Sequence, residues 1–188
     1  AASAGLLFTL DDVPELVNKV EQDFYPGAVS GSKAMDNKHY GVPLAMETYA
    51  LFYNKDLLPT APDSFEKLIE ATKSLTDKGA QKFGILFEPA NFYFSYAFLS
   101  ADGGYVFKNG TDVNDMGLNN DGAVKGLEAM LKLKEISADK AEDVNGNVIK
   151  ALFNEGKFAA VINGPWFLSD LKDSKVKYGV VPLPTING

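Results

Sequence analysis

The chain has 188 residues, of which 46% are hydrophobic and 23% charged, a composition typical of a folded globular protein of one domain or slightly more. Its formal net charge of −7 disfavours nucleic acids and anionic membrane surfaces as partners, because both require a basic footprint. The absence of cysteine excludes disulfides, zinc–thiolate sites and cysteine nucleophiles, and no apolar stretch reaches the roughly 20 residues that span a bilayer.

The first third of the sequence predicts one helix, one loop and two strands. Residues 11–24 begin with two aspartates and place apolar side chains at helical spacing, which predicts an amphipathic helix. We expect residues 27–38 to form a loop and residues 40–45 a short strand. Residues 48–53 are rich in aromatic and apolar side chains and predict the clearest strand of the chain. His39 lies beside the predicted loop, where we interpret it as a solvated side chain rather than a metal ligand.

The rest of the sequence alternates helices with strands, each bounded by caps or turn residues. Helices are predicted at residues 64–79, 91–101, 121–136 and 148–153, with a further one opened by Trp166 after Pro165, and strands at residues 82–87, 158–162 and 178–181. In the helix at residues 121–136 we expect the apolar side to be formed by Val124, Leu127, Met130, Leu131 and Leu133.

This alternation predicts an α/β fold with a mixed or parallel sheet flanked by helices. In such folds ligands bind beyond the carboxyl ends of the strands. Glu88 follows one predicted strand and Trp166 follows another. Both side chains are therefore expected at the same rim of the sheet.

Motifs for cofactor chemistry are absent from the sequence. There is no Walker sequence and no complete G-x-G-x-x-G, and Gly103-Gly104 is best explained as a helix terminator. The stretch at residues 119–128 fails as a calcium loop because its first ligand position would be Gly117. No G-x-S-x-G elbow is present either. The sequence therefore predicts no cofactor, no metal site and no catalytic residue.

Two carboxylates stand among apolar neighbours, Glu47 and Glu88. Such a carboxylate needs hydrogen-bond donors to stay ionised at little cost, and sugar hydroxyls can supply charge-assisted ones. Two alternatives remain open from the residues alone. The pair could serve as the acid and base of a glycosidase, or the two glutamates could be surface or internally paired side chains.

Aromatic side chains cluster after Glu88, at Phe92, Tyr93, Phe94 and Tyr96, and Trp166 lies beyond another strand. A pyranose ring has an apolar face of C–H bonds that packs on a flat aromatic ring. These residues are therefore candidates for a groove that holds a neutral polar ligand. The alternative is that the helix at residues 91–101 buries these rings in the core.

Five segments give the sequence a resemblance to the maltose/maltodextrin-binding proteins of bacterial ABC importers. They occur in that family's order and with similar spacing, and Asn163-Gly164-Pro165-Trp166 is the most specific of their motifs. The segments are residues 41–47, 53–59, 101–108, 153–166 and 178–185. The resemblance implies a non-catalytic protein with a type II periplasmic-binding-protein-like fold, whose two α/β lobes, joined by hinge strands, close on a linear α-glucan.

The resemblance also assigns site residues. Glu47 matches the hinge-side carboxylate that binds sugar hydroxyls, and Glu88 matches a second one in the family's Glu-Pro dipeptide. Trp166 matches a stacking tryptophan, Tyr93 a stacking tyrosine, and Tyr96 an aromatic residue one turn later. Two residues, Ala90 and Asn91, follow the Glu-Pro dipeptide where the family usually has an aromatic residue, so Phe92 is another stacking candidate.

Residues 1–45 correspond to a partial first-lobe segment and hinge, and residues 46–188 to most of a truncated second lobe. We expect the missing lobe segments and an ABC transporter permease as partners. The implied location is extracytoplasmic, as a periplasmic protein or a cell-surface lipoprotein. Because the first residues lack the basic and apolar regions of a signal peptide, any export signal is expected to have been removed or to lie outside this sequence. The alternatives are a binder of another oligosaccharide and a glycoside-active enzyme that uses Glu47 and Glu88.

Overall fold

The computed structural model describes residues 1–186, which divide into a first unit, Ala1–Glu47, and a second unit that begins at Thr48. Asn187 and Gly188, with which the predicted second-lobe range ends, lie outside the described residues. The first unit contains 3-10 helices at Ala2–Ala4 and Leu10–Asp12, helix α1 at Pro14–Asp23 and helix α2 at Pro26–Ser32. Both α-helices begin with a proline, whose missing N–H costs nothing in the first turn.

Two secondary-structure predictions for the first unit are wrong. Residues 27–38 are not all loop, because Pro26 starts α2, and the Tyr25 carbonyl accepts hydrogen bonds from Ala28 and Val29 at 2.9 and 3.0 Å. The two glycines and two serines of α2 have low helix propensity, so local preference alone does not explain this helix. Residues 40–45 form no strand, since no strand of the described residues pairs with them, and Leu44 is 100% exposed.

His39 is buried rather than solvated, with only 3% of its surface exposed. The chain returns here against the 3-10 helix at Leu10–Asp12, so that the Leu10 N–H donates to the His39 carbonyl at 2.8 Å. In turn the His39 N–H donates to the Asp11 carboxylate at 2.7 Å. The buried imidazole therefore lies beside two carboxylates, because one oxygen of Asp11 and one of Glu21 are each 3.7 Å from one of its nitrogens.

The second unit is built on a four-stranded sheet in the order β2-β3-β1-β4. Its strands are β1 (Ala50–Asn54), β2 (Phe83–Leu86), β3 (Phe158–Asn163) and β4 (Tyr178–Val181). Strands β2 and β3 are parallel, whereas β1 is antiparallel to both β3 and β4. The predicted α/β fold with a mixed sheet is thus confirmed.

Five helices of the second unit follow the predicted pattern with shifted ends. They are α3 (Phe65–Lys73), α4 (Phe92–Ser100), α5 (Asp121–Lys132), α6 (Gly146–Asn154) and the short α7 (Phe167–Asp170). Side chains of Ser64, Asn91, Asn120 and Asn145 cap the first four by accepting backbone N–H groups. Helix α3 ends at Lys73 rather than at Gly79, because a turn closed by a bridge between Asp77 and Lys82 follows it. The end of the predicted helix at residues 121–136 is a 3-10 turn, Leu133–Ile136.

Only part of the predicted apolar side of residues 121–136 is buried. Leu133 is 1% exposed and Met130 packs on the core, as predicted, whereas Val124 and Leu131 are 46% and 64% exposed. The residues that α5 itself buries are Ala123, Gly126 and Ala129. The cause is the close approach of α4, because a Cβ added at Gly126 would lie 1.9 Å from the Phe98 carbonyl oxygen. Small residues rather than large apolar ones therefore form this helix contact.

The sheet carries a hydrophobic cluster on each face. Successive strand residues point to opposite faces, so that Leu51 and Ile162 join one cluster while Phe52 and Val161 join the other. Helices cover both faces, and strands β2 and β3 are buried along their whole length. The sheet is thus held rigidly from both sides, which fixes the loops that leave its edges.

Candidate functional site

At one edge of the sheet, strands β2, β3 and β4 end and strand β1 begins. Strand β2 ends there at Leu86 and β3 at Asn163, and the first residue of β1, Ala50, pairs with Asn163. The last residue of β4, Val181, pairs with Leu51 and so lies at the same edge. The loops that carry Glu88 and Trp166 both start here.

Tyr93 and Trp166 lie close together at this edge. Their ring centroids are 6.0 Å apart with 51° between the planes, and each side chain is 40% exposed. Helix α4 fixes Tyr93 in its first turn, because Asn91 Oδ1 accepts the Tyr93 N–H at 3.1 Å. The pair therefore presents two partly exposed rings whose supports are rigid.

The segment Asn163-Gly164-Pro165-Trp166 forms the surface against which the indole ring packs. The Gly164 N–H donates to Asn163 Oδ1 at 2.8 Å, and a Cβ at Gly164 would lie 2.2 Å from Trp166 Cη2. Only glycine leaves room for the indole to pack against the backbone in this way. Trp166 itself is the helical residue that precedes α7, as the proline before it predicted.

Glu88 is half-buried beside the carboxyl end of β2. Its carboxylate makes no hydrogen bond or ion pair with any of residues 1–186. A Cβ at Gly146, the first residue of α6, would lie 3.7 Å from Glu88 Oε1, so the carboxylate is close to a helix N-terminus, whose positive end favours a negative charge. Its oxygens are thus acceptors without a donor in this part of the protein.

The other predicted site residues have different surroundings. Tyr96 is half-buried and packs against Phe92, with ring centroids 5.5 Å apart, while Phe92 is 51% exposed. Phe94 is 6% exposed and belongs to the core, as the alternative explanation for these rings required. Glu47 is an exposed residue at the end of the first unit. The structure thus brings Tyr93 and Trp166 together at the edge that also carries Glu88.

Tyr49 was not among the predicted site residues, although it stands directly before β1 at the same edge. Its ring meets the Tyr93 ring edge-on, with centroids 5.2 Å apart and planes at 82°. Burial raises the pKa of the Tyr49 hydroxyl, and the neighbouring Tyr93 and Tyr96 raise it further. Its place two residues after Glu47 was the one signal in the sequence that could have drawn attention to it.

A cavity of about 620 Å³ lies elsewhere in the second unit, lined by Phe65, Phe98, Leu183 and neighbouring residues. Its charged side chains, Asp102 and Lys125, pair with each other at 3.3 Å. The aromatic edge is the better candidate site because its carboxylate has no partner in the described part of the chain and its rings are exposed. Residues 1–186 contain no group of three or more His, Asp or Glu side chains placed to hold a metal ion, and none of their helices has the length and apolarity to cross a bilayer.

Comparison with known proteins matches residues 1–188 to the family described as bacterial extracellular solute-binding protein. The chain belongs to this family. That membership agrees with the predicted extracytoplasmic location.

Individual relatives are named for the sugars that they bind. The chain is 44% identical over 161 residues to the maltodextrin-binding protein MdxE of Bacillus subtilis, a match that covers 81% of this chain and 38% of that protein. It is 35% identical over 195 residues to the galactooligosaccharide-binding protein of the same organism, covering 99% of this chain and 45% of that protein. The crystal structure of a cyclo/maltodextrin-binding protein complexed with maltotetraose matches with a TM-score of 0.78 and 35% identity, over 91% of this chain and 45% of that one.

These matches confirm the resemblance to maltodextrin-binding proteins and the type II periplasmic-binding-protein-like fold. The chain spans less than half the length of each of these relatives.

Proposed function

We propose that this chain is part of an extracytoplasmic maltodextrin-binding protein, which holds maltose or longer α-glucans and delivers them to an ABC import permease. The observation that carries the proposal is the exposed Tyr93–Trp166 ring pair at the sheet edge that also holds Glu88, whose carboxylate has no partner among residues 1–186. The names of two relatives support the choice of ligand, since MdxE is a maltodextrin-binding protein and the cyclo/maltodextrin-binding protein is complexed with maltotetraose.

Each part of the site has a distinct task in this proposal. The rings of Tyr93 and Trp166 pack on the apolar faces of glucose units, while Tyr96 adds an aromatic surface one helical turn further on. Glu88 accepts hydrogen bonds from sugar hydroxyls, and Glu47 of the first unit does the same. No bond is made or broken, so neither glutamate acts as an acid, base or nucleophile.

We further propose that residues 1–45 are a first-lobe segment with a hinge and that residues 46–188 form most of the second lobe. Solute-binding sites of this type form between two lobes that close on the ligand. A complete protein with micromolar affinity gains about 8 kcal/mol on binding. Because the second unit supplies one wall of such a site, we expect the 188 residues alone to bind maltotriose far more weakly than MdxE does. Equal affinity of the two in calorimetry would refute this one-wall argument.

The site itself is tested by Trp166→Ala in calorimetric titrations of the intact protein with maltotetraose. We expect the affinity to fall about tenfold or more, which corresponds to ~1.4 kcal/mol or more, since a stacking surface is removed. Leu168→Ala is the matched control, because Leu168 is 47% exposed on the adjoining helix but has no flat ring. An unchanged affinity in Trp166→Ala would exclude the indole from the site.

A second candidate ligand is a galactooligosaccharide, favoured by the match to the galactooligosaccharide-binding protein over 99% of this chain. A panel of α-1,4-glucans and galactooligosaccharides separates the two, and we expect the α-glucans to bind best. Incubation with maltodextrin and measurement of reducing ends tests the absence of catalysis. Turnover that disappears in Glu47→Gln or Glu88→Gln would instead favour a glycoside-active enzyme.

A further inference from the structure

Tyr49 connects the hydrophobic core to the exposed ring pair. Its backbone is fixed at the sheet edge, because the next residue, Ala50, is already paired with Asn163 of β3. Its half-buried ring lies 5.2 Å from Tyr93 and 6.4 Å from Phe94, a core residue. Tyr49 therefore stands between a rigid core and a partly exposed side chain.

The geometry of the contact determines the orientation of Tyr93. The two rings are almost perpendicular, at 82°, so the edge of one ring rests against the face of the other, an arrangement that aromatic pairs prefer. Phe94 meets Tyr93 in the same way, at 5.2 Å and 88°. With Trp166 6.0 Å away, rotation of the Tyr93 ring is restricted by three aromatic neighbours.

We infer that Tyr49 is a positioning residue for sugar stacking, which holds the plane of Tyr93 in the orientation that a glucose ring requires. The inference rests on the proposed function, in which Tyr93 stacks on the sugar. Tyr49 acts through Tyr93, and its contribution is pre-organisation, because a ring already held in its bound orientation loses less freedom on binding.

This role predicts a specific dependence between two substitutions. In calorimetric titrations with maltotetraose, Tyr49→Leu should weaken binding about three- to tenfold, the effect of losing one aromatic pair contact. Tyr49→Phe keeps the ring and should stay within about twofold of the unsubstituted protein. In a Tyr93→Ala background, Tyr49→Leu should cause no further loss, since the ring that it positions is gone.

Tyr53→Leu is the matched control. Tyr53 is also a half-buried tyrosine of the β1 segment, but it lies towards the other end of that strand, where its ring packs on Gly179. Its replacement removes comparable packing and should leave the affinity unchanged. A loss in Tyr53→Leu equal to that in Tyr49→Leu would reduce the role of Tyr49 to general stability and overturn the inference, as would an undiminished effect of Tyr49→Leu without Tyr93.

A measurement without sugar separates this inference from the proposed function. Trp166 is the only tryptophan, so its fluorescence emission reports on the ring pair directly. Tyr49→Leu should shift the emission to longer wavelength, whereas Tyr53→Leu should not. If α-glucans fail to bind the unsubstituted intact protein, the proposed function fails, while an emission shift would still show that Tyr49 holds Tyr93 in place. An unshifted emission in Tyr49→Leu overturns the inference whether or not sugar binds.

Discussion

The two units of the chain differ in how they are held together. In residues 1–47, all of which are described, Val20 is the one buried hydrophobic side chain, while Phe8 and Leu44 are 94% and 100% exposed. The second unit packs a hydrophobic cluster on each face of its sheet. Apolar burial is the main stabilising contribution in folding, so the second unit has the stability to hold a binding surface in place. The exposed ring pair belongs to that unit.

The first unit is ordered by short polar contacts instead. Asp11 and Leu10 hold the backbone of His39 through hydrogen bonds of 2.7 and 2.8 Å, and Lys33 pairs with Glu21 at 3.1 Å. An exposed ion pair such as that of Lys33 with Glu21 contributes little to stability. We therefore expect substitutions in the two units to differ strongly in their effects on unfolding.

The largest difference is expected between two phenylalanines. Phe153 is fully buried against Phe158 and Phe167, so Phe153→Ala should lower the free energy of unfolding by about 3–5 kcal/mol. Phe8→Ala in the first unit should change it by less than about 0.5 kcal/mol, because this ring is almost wholly exposed. Urea unfolding followed by Trp166 emission measures the first change, and far-UV circular dichroism follows both. Similar losses in the two variants would show that the contrast between the units is wrong.

Replacement of one helical glycine in each unit should change the stability by a smaller amount, and with opposite signs in the two units. Gly126→Ala should destabilise the second unit by about 1–3 kcal/mol, because the added methyl group collides with the Phe98 carbonyl and forces α4 and α5 apart. Gly31→Ala should stabilise α2 by about 0.4–1 kcal/mol, since its Cβ would meet no atom within 4 Å and alanine restricts the unfolded chain. Urea unfolding measures the loss in Gly126→Ala, and amide hydrogen exchange of residues 27–32 measures the gain in Gly31→Ala. Faster exchange in Gly31→Ala would contradict the open space seen at this position.

The contrast between the apolar core of the second unit and the polar contacts of the first explains how much of the fold the sequence could predict. Residues 158–162 and 178–181 are correctly predicted strands, because apolar runs between turn residues have few alternatives once a core exists. Predictions fail where contacts between distant segments bury residues other than those that the local apolar periodicity indicates. Helix α5 buries Ala123 and Gly126 because the α4 backbone approaches closely, which periodicity alone does not reveal. In the first unit His39 is buried by hydrogen bonds between distant segments, and the sequence carries no sign of them.

The candidate site was predictable only as far as it depends on where the strands end. The edge positions of Glu88 and Trp166 followed from strand ends, because parallel strands deliver their carboxyl ends to one edge. The 6.0 Å approach of Tyr93 to Trp166 depends on where the first turn of α4 meets the loop after β3, which sequence spacing does not determine. Tyr49 was assigned to the strand and so missed. The roles of these residues in sugar binding stay predictions.

The smallest expected effect is a pH dependence confined to the first unit. The pKa of the Asp11 carboxyl is lowered chiefly because it accepts the His39 N–H, and the Thr9 hydroxyl lowers it further. A group with a lowered folded pKa stabilises the fold above its unfolded pKa of about 3.9, and this contribution is lost as the pH falls through the folded value.

We therefore expect the amide proton resonance of His39 to shift below about pH 4, as the carboxylate that accepts its hydrogen bond becomes protonated. Asp11→Asn should abolish that shift, whereas Asp12→Asn should leave it unchanged, because Asp12 is the exposed neighbour in the same 3-10 helix. A two-dimensional NMR titration measures all three proteins. A His39 amide resonance that titrates identically in Asp11→Asn would mean that this contact does not order the first unit, and its other polar contacts, together with the buried Val20, would then have to do so.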